Sequence, residues 1–78
     1  MREFKIRLRS VQEVQEFVDL ATVKPFVIEV CDDSHCVNAK SFMGMFSLDL
    51  ATPVQVRADC SEEECTGFKL AAARFLTN

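Results

Sequence analysis

Between Glu3 and Arg9 the chain alternates charge and hydrocarbon, with Phe4, Ile6 and Leu8 set between Glu3, Lys5, Arg7 and Arg9. A period of two places the apolar side chains on one face of a strand and the charges on the other. At Ser10 the period changes: Val11, Val14, Phe17, Val18 and Ala21 recur at helical steps, and Ser10 with Glu13 has the form of a capping box. Pro25 closes this unit. Phe26, Ile28 and Val30 resume the alternation as a second strand, and Val37 with Ala39 forms a third. Between them lies Asp32-Asp33-Ser34-His35. With Asp33-Ser34 as a two-residue turn, Asp32 faces His35 and Cys31 faces Cys36.

A short second helix is expected from Ser41 to Leu50. After Pro53, Val54, Val56 and Ala58 alternate with Gln55, Arg57 and Asp59 as a fourth strand. Ser61 and Glu64 form another capping box, and Cys65, Phe68, Ala72, Phe75 and Leu76 line the last helix. The order is β-α-β-β-α-β-α over residues 1–78, one α+β domain. One-sided strands require one buried sheet face, so the pattern predicts a four-stranded antiparallel sheet with three helices on one face, an open-faced sandwich.

Composition narrows the role. With 78 residues the chain has room for one small core, and 49% apolar with 27% charged residues suits a folded domain. Trp and Tyr are absent, so seven Phe supply the aromatic volume. A net charge of −3 argues against a general nucleic-acid binder. Lys5, Arg7, Arg9 and Arg57 should project from the open face, but that face lacks the aromatics on which RNA bases stack, so it reads as a solvated surface. No run approaches the roughly 18 apolar residues of a membrane span, and Met1-Arg2-Glu3-Phe4-Lys5 is charged where a signal peptide is apolar, so cytoplasmic residence is the expectation.

Four cysteines are present. Cytoplasmic residence favours reduced thiols. Cys60 and Cys65 have core parity and read as inert core thiols. Cys31 and Cys36 should be solvent-facing cross-strand neighbours, close enough to bridge but expected free in the cell. With His35 and Asp33 nearby they could hold a metal, although a lone pair lacks the second ligand pair of a structural zinc site. Two glycines, Gly44 and Gly67, exclude a glycine-rich phosphate loop, and no acid/base pair or nucleophile–histidine arrangement is visible. No catalytic residue and no cofactor is therefore assigned.

The segment Val37-Asn38-Ala39-Lys40-Ser41-Phe42-Met43-Gly44-Met45-Phe46-Ser47-Leu48-Asp49-Leu50 resembles the regulatory-serine segment of HPr, the histidine phosphocarrier of the bacterial sugar phosphotransferase system. The element order is similar to HPr along nearly the whole chain. HPr carries its phosphoryl group on a histidine at the start of the first helix. Here Ser10 falls where that histidine would be and Gln12 where the family has an arginine, while His35 sits in the hairpin turn.

Ser10 is first an N-cap; free N–H groups at a helix start can also hold an anion, as HPr's do, but Glu13 in the first turn opposes one. Ser41 likewise caps, and the resemblance adds that the matching serine of Gram-positive HPr is phosphorylated by a dedicated kinase, which makes Ser41 a regulatory candidate. Phe42, Met43, Met45, Phe46, Leu48 and Leu50 crowd one short helix that cannot bury every side. Leu48 and Leu50 are the expected core anchors. Phe42, Met43 and Phe46 form an exposed patch, and in HPr the matching positions dock partner proteins.

The function these features imply is a non-enzymatic, HPr-like binding or regulatory module without phosphohistidine chemistry. Its expected partners are proteins of the phosphotransferase system or of transcriptional regulation. Two alternatives remain: an unconventional carrier using Ser10 or Ser41, and a thiol or metal sensor built on Cys31 and Cys36.

Overall fold

A computed structural model of the chain describes residues 2–77. The elements are β1 (Arg2–Ile6), α1 (Val11–Thr22), β2 (Ile28–Cys31), β3 (Cys36–Asn38), α2 (Phe42–Met45), β4 (Val54–Ala58), α3 (Glu62–Ala71), a 3-10 turn (Ala73–Phe75) and β5 (Leu76–Thr77). The sheet runs β3-β2-β4-β1-β5 and every pairing is antiparallel.

One parity of the strands is buried. Phe4, Ile6, Ile28, Val30, Val54, Val56 and Ala58 join Val14, Phe17, Val18 and Ala21 of α1, Met45 of α2, and Cys65 and Phe68 of α3 in a single apolar cluster. All three helices therefore cover the same sheet face. The phenylalanines fill its centre: Phe68 lies 5.8 Å from both Phe4 and Phe17, and Phe75 lies 6.2 Å from Phe17 between ring centroids. The other face carries two cross-strand rows, Cys36-Cys31-Gln55-Lys5-Thr77 and Asn38-Glu29-Arg57-Glu3.

The expected four-stranded sheet has a fifth strand. Leu76, assigned by its spacing to the last helix, instead pairs with Ile6 at the free edge of β1, and Arg7 N–H donates to Phe75 O. Helix α3 stops at Ala71, Phe75 turns into the core, and the chain leaves extended. An open edge of unpaired backbone groups offers that extended segment a full set of partners, which helical spacing cannot reveal.

The second helix is shorter than expected, with Phe42–Met45 in place of Ser41–Leu50. Beyond Met45 the bonds tighten to the three-residue step, Ser47 N to Gly44 O and Leu48 N to Met45 O. Two carboxylates then take the next donors: Asp32 Oδ2 accepts from Asp49 N at 2.9 Å, and Asp49 Oδ1 accepts from Ala51 N at 3.1 Å. Side-chain acceptors of this kind compete directly with helical carbonyls. The alternation ran past two strand ends: Leu8 and Ala39 are buried although β1 closes at Ile6 and β3 at Asn38. Phe26 packs edge-on against Phe68 just before β2.

Candidate docking surface beside the second helix

Helix α2 is held from both ends. Ser41 Oγ accepts from Gly44 N at 3.2 Å, and a Cβ at Gly44 would stand 3.1 Å from that oxygen. Only a residue without a side chain leaves this cap undisturbed. Met45 is wholly buried and Leu48 nearly so, while Leu50 is only half-buried. Met45 is thus the main anchor, a role that the crowded apolar run did not single out.

The apolar residues left over face outward. Met43 is 77% exposed and Phe46 44%, and half-buried Phe42 meets Phe46 edge-on with centroids 5.0 Å apart. The structure extends this patch toward α1. A depression of about 230 Å³, lined by Leu8, Arg9, Ser10, Val11, Val14, Phe46 and Leu50, joins Phe46 to the start of that helix. Val11, counted in sequence as part of the α1 stripe, is 63% exposed at the rim. Ser10 and Phe46, separate candidates in sequence, therefore share one surface.

At the start of α1, Ser10 Oγ accepts from Glu13 N at 3.1 Å, while Glu13 Oε1 accepts from Arg9 N at 2.7 Å. The expected box closes one residue early, on Arg9 instead of Ser10. Ser61 and Glu64 at α3 form the reciprocal arrangement in full. The Glu13 carboxylate fixed at the helix start places negative charge where an anion would bind.

The hairpin turn holds a cluster that spacing alone does not reveal. Cys31 opposes Cys36 as expected, and Asp32 N–H donates to His35 O. No described non-glycine residue has positive φ, so the turn lacks the mirror-image geometry of most two-residue hairpins. Asp32 closes it instead, its Oδ1 accepting from Ser34 N at 2.8 Å and His35 N at 2.9 Å. With Asp49 N on its other oxygen, the carboxylate is drawn down to a pKa of about 2, chiefly by the bonds from Asp49, His35 and Ser34.

His35 Nε2 lies 3.0 Å from Ser47 Oγ and its Nδ1 lies 3.5 Å from Asp32 Oδ1. Ser47 Oγ also lies 2.7 Å from Gly44 O, so its hydroxyl has a backbone acceptor beside the imidazole. The cluster ties the hairpin to the α2 segment.

Cys31 and Cys36 are the cross-strand neighbours expected: their Cα atoms are 4.0 Å apart and the sulfurs are joined. A directly opposed pair brings the two thiols within bridging reach, and the redox poise of the surroundings sets whether the bridge persists. Cys65 is a buried free thiol, whereas Cys60 is only half-buried, and burial pushes its pKa up. The bridge borders an open-face groove of about 320 Å³ lined also by Glu3, Lys5, Gln55 and Arg57. Arg57 Nε lies 3.3 Å from Glu3 Oε2, and Gln55 Nε2 donates to Glu3 Oε1, so the basic residues of this face are interleaved with acid. Among the described residues no group of three or more His, Cys, Asp or Glu side chains is placed to hold a metal ion, and no helix is long and apolar enough to cross a membrane.

This architecture, an antiparallel sheet covered on one face by three helices, is HPr-like. The crystal structure of HPr-C-His from Thermoanaerobacter tengcongensis is similar to this chain with a TM-score of 0.74 and 29% identity, over 90% of this chain and 88% of that one. No protein-family description and no curated protein matches the chain by sequence.

Proposed function

We propose that this chain is a phosphotransferase-related, HPr-like module that binds a protein partner through the α2 surface and carries no phosphohistidine. The observation that carries this reading is the exposed Met43–Phe46 patch, continuous through a shallow depression with the start of α1. Exposed Met and Phe side chains around a depression suit an apolar counterpart, and Arg9 at its rim suits an acidic group beside it. At the α1 start, where an HPr-type carrier would hold its histidine, stands Ser10, engaged as an N-cap. The one histidine sits at the hairpin, with Nε2 within hydrogen-bond distance of Ser47 Oγ and Nδ1 3.5 Å from Asp32 Oδ1. The chain then acts as a non-enzymatic binding protein of the bacterial cytoplasm.

Ser41 gives this surface a control point. A phosphoryl group there would place about two negative charges beside Met43 and Phe46 and displace the cap bond to Gly44. Incubation with phosphoenolpyruvate and the upstream phosphotransferase enzyme tests the core of the proposal. The expected outcome is no phosphate on the protein, acid-labile or acid-stable; labelling of His35, Ser10 or Ser41 under those conditions overturns it. Separately, the kinase that acts on the matching serine of HPr should label Ser41 from ATP, and Ser41→Ala should abolish the label.

A further inference from the structure

We propose that the Cys31–Cys36 bridge is a reversible thiol–disulfide site whose state sets the order of the α2 surface; its regulatory consequence rests on the docking reading above. The bridged residues are immediate chain neighbours of Asp32 and His35. Those two side chains make the hairpin's bonds to the segment after α2: Asp32 Oδ2 to Asp49 N at 2.9 Å, and His35 Nε2 to Ser47 Oγ at 3.0 Å. That segment has little order of its own, since α2 is one helical turn of four residues. Strand β3, which carries Cys36, is a three-residue edge strand whose only strand neighbour among the described residues is β2. So short an edge ladder holds the turn loosely, and the covalent closure of residues 31–36 adds to the bonds of Asp32 with Ser34 N and His35 N in confining Asp32 and His35.

The bridge is open to attack. Cys36 is exposed and Cys31 half-buried, and both border the open-face groove. The reductant is a dithiol. One of its thiolates attacks Cys36 Sγ, the S–S bond breaks with its electron pair on Cys31 Sγ, and that thiolate takes a proton. The second thiolate of the reductant then attacks the mixed disulfide, releasing Cys36, which is protonated in turn. Two electrons and two protons pass to the protein and the dithiol leaves as its disulfide.

Amide hydrogen exchange of the intact protein, with and without dithiothreitol, tests this coupling. Thiol counting checks that the bridge is present before treatment and open after it. Reduction should speed exchange at Phe46, Leu48 and Asp49 roughly fivefold, the shift expected when about one net hydrogen bond is lost from a local opening equilibrium. Protection at Val56 in the sheet centre should stay unchanged. Asp32→Ala in the bridged protein should reproduce the loosening and leave dithiothreitol little to add. The proposal is overturned if exchange in the segment is the same in both states, or if the untreated protein already has four free thiols. Neither measurement involves a partner, so a failed docking surface would leave this coupling standing, and the reverse also holds.

Discussion

The first and second helices both begin on a serine whose hydroxyl accepts an N–H three residues on, yet α1 runs twelve residues and α2 four. The caps are alike; the difference lies in the residues beyond them. Helix α1 continues with an apolar stripe that buries Val14, Phe17, Val18 and Ala21, so every further turn adds core contact. Helix α2 has apolar residues on several sides and buries Met45; beyond it the bonds tighten to the three-residue step, and the carboxylates of Asp32 and Asp49 take the donors that follow. One helix is made by its own periodicity and the other by its neighbours. The weaker helix is also the one whose outer side remains apolar and exposed, which makes it available to a partner.

Core truncation should give the largest effects and tests whether both helices are anchored. Phe17→Ala should destabilise by about 3–5 kcal/mol and Leu48→Ala by about 2–5 kcal/mol in denaturant melts. If Leu48→Ala cost under about 1 kcal/mol, the α2 segment would be only loosely attached, and its neighbours could not be what makes the helix.

Glycine replacements sharpen the contrast because they should differ in sign. A Cβ at Gly67, within α3, meets nothing within 4 Å, so Gly67→Ala should stabilise by about 0.5–1 kcal/mol. The same change at Gly44 crowds the Ser41 hydroxyl at 3.1 Å and disturbs the cap, so Gly44→Ala should lower the melting temperature. Replacing both Met43 and Phe46 with Ser should cost only about 1–2 kcal/mol of stability, mostly the lost Phe42–Phe46 contact, while weakening partner binding at least tenfold, on the order of 1.4 kcal/mol. Unfolding of that variant would mean that the patch is core.

The pH response should be the smallest effect. The folded pKa of Asp32, about 2, lies below the value of an unfolded carboxyl, so its bonds are fully present above about pH 4 and are lost as pH falls through about 2. Exchange at Asp49 N–H should accelerate in acid, and Asp32→Asn should remove most of that dependence.

Much of this was legible in the chain. The alternation of Phe4, Ile6 and Leu8 and of Val54, Val56 and Ala58 set the buried face, because strand side chains can point only two ways. Ser61 with Glu64 and Ser10 with the α1 stripe set two helix starts, because capping and helical periodicity are local. The pairing of Cys31 with Cys36 followed from the turn. Three features required the folded chain. Leu76 became a strand because β1 offered a free edge. The chain after α2 did not return to helical bonding at Asp49 because Asp32, 17 positions away in sequence, took that N–H. Val11 joined Phe46 across a depression between elements that are remote in sequence. Local periodicity and capping belong to a segment and its own backbone, whereas edges, competing acceptors and shared surfaces exist only once distant segments have packed together.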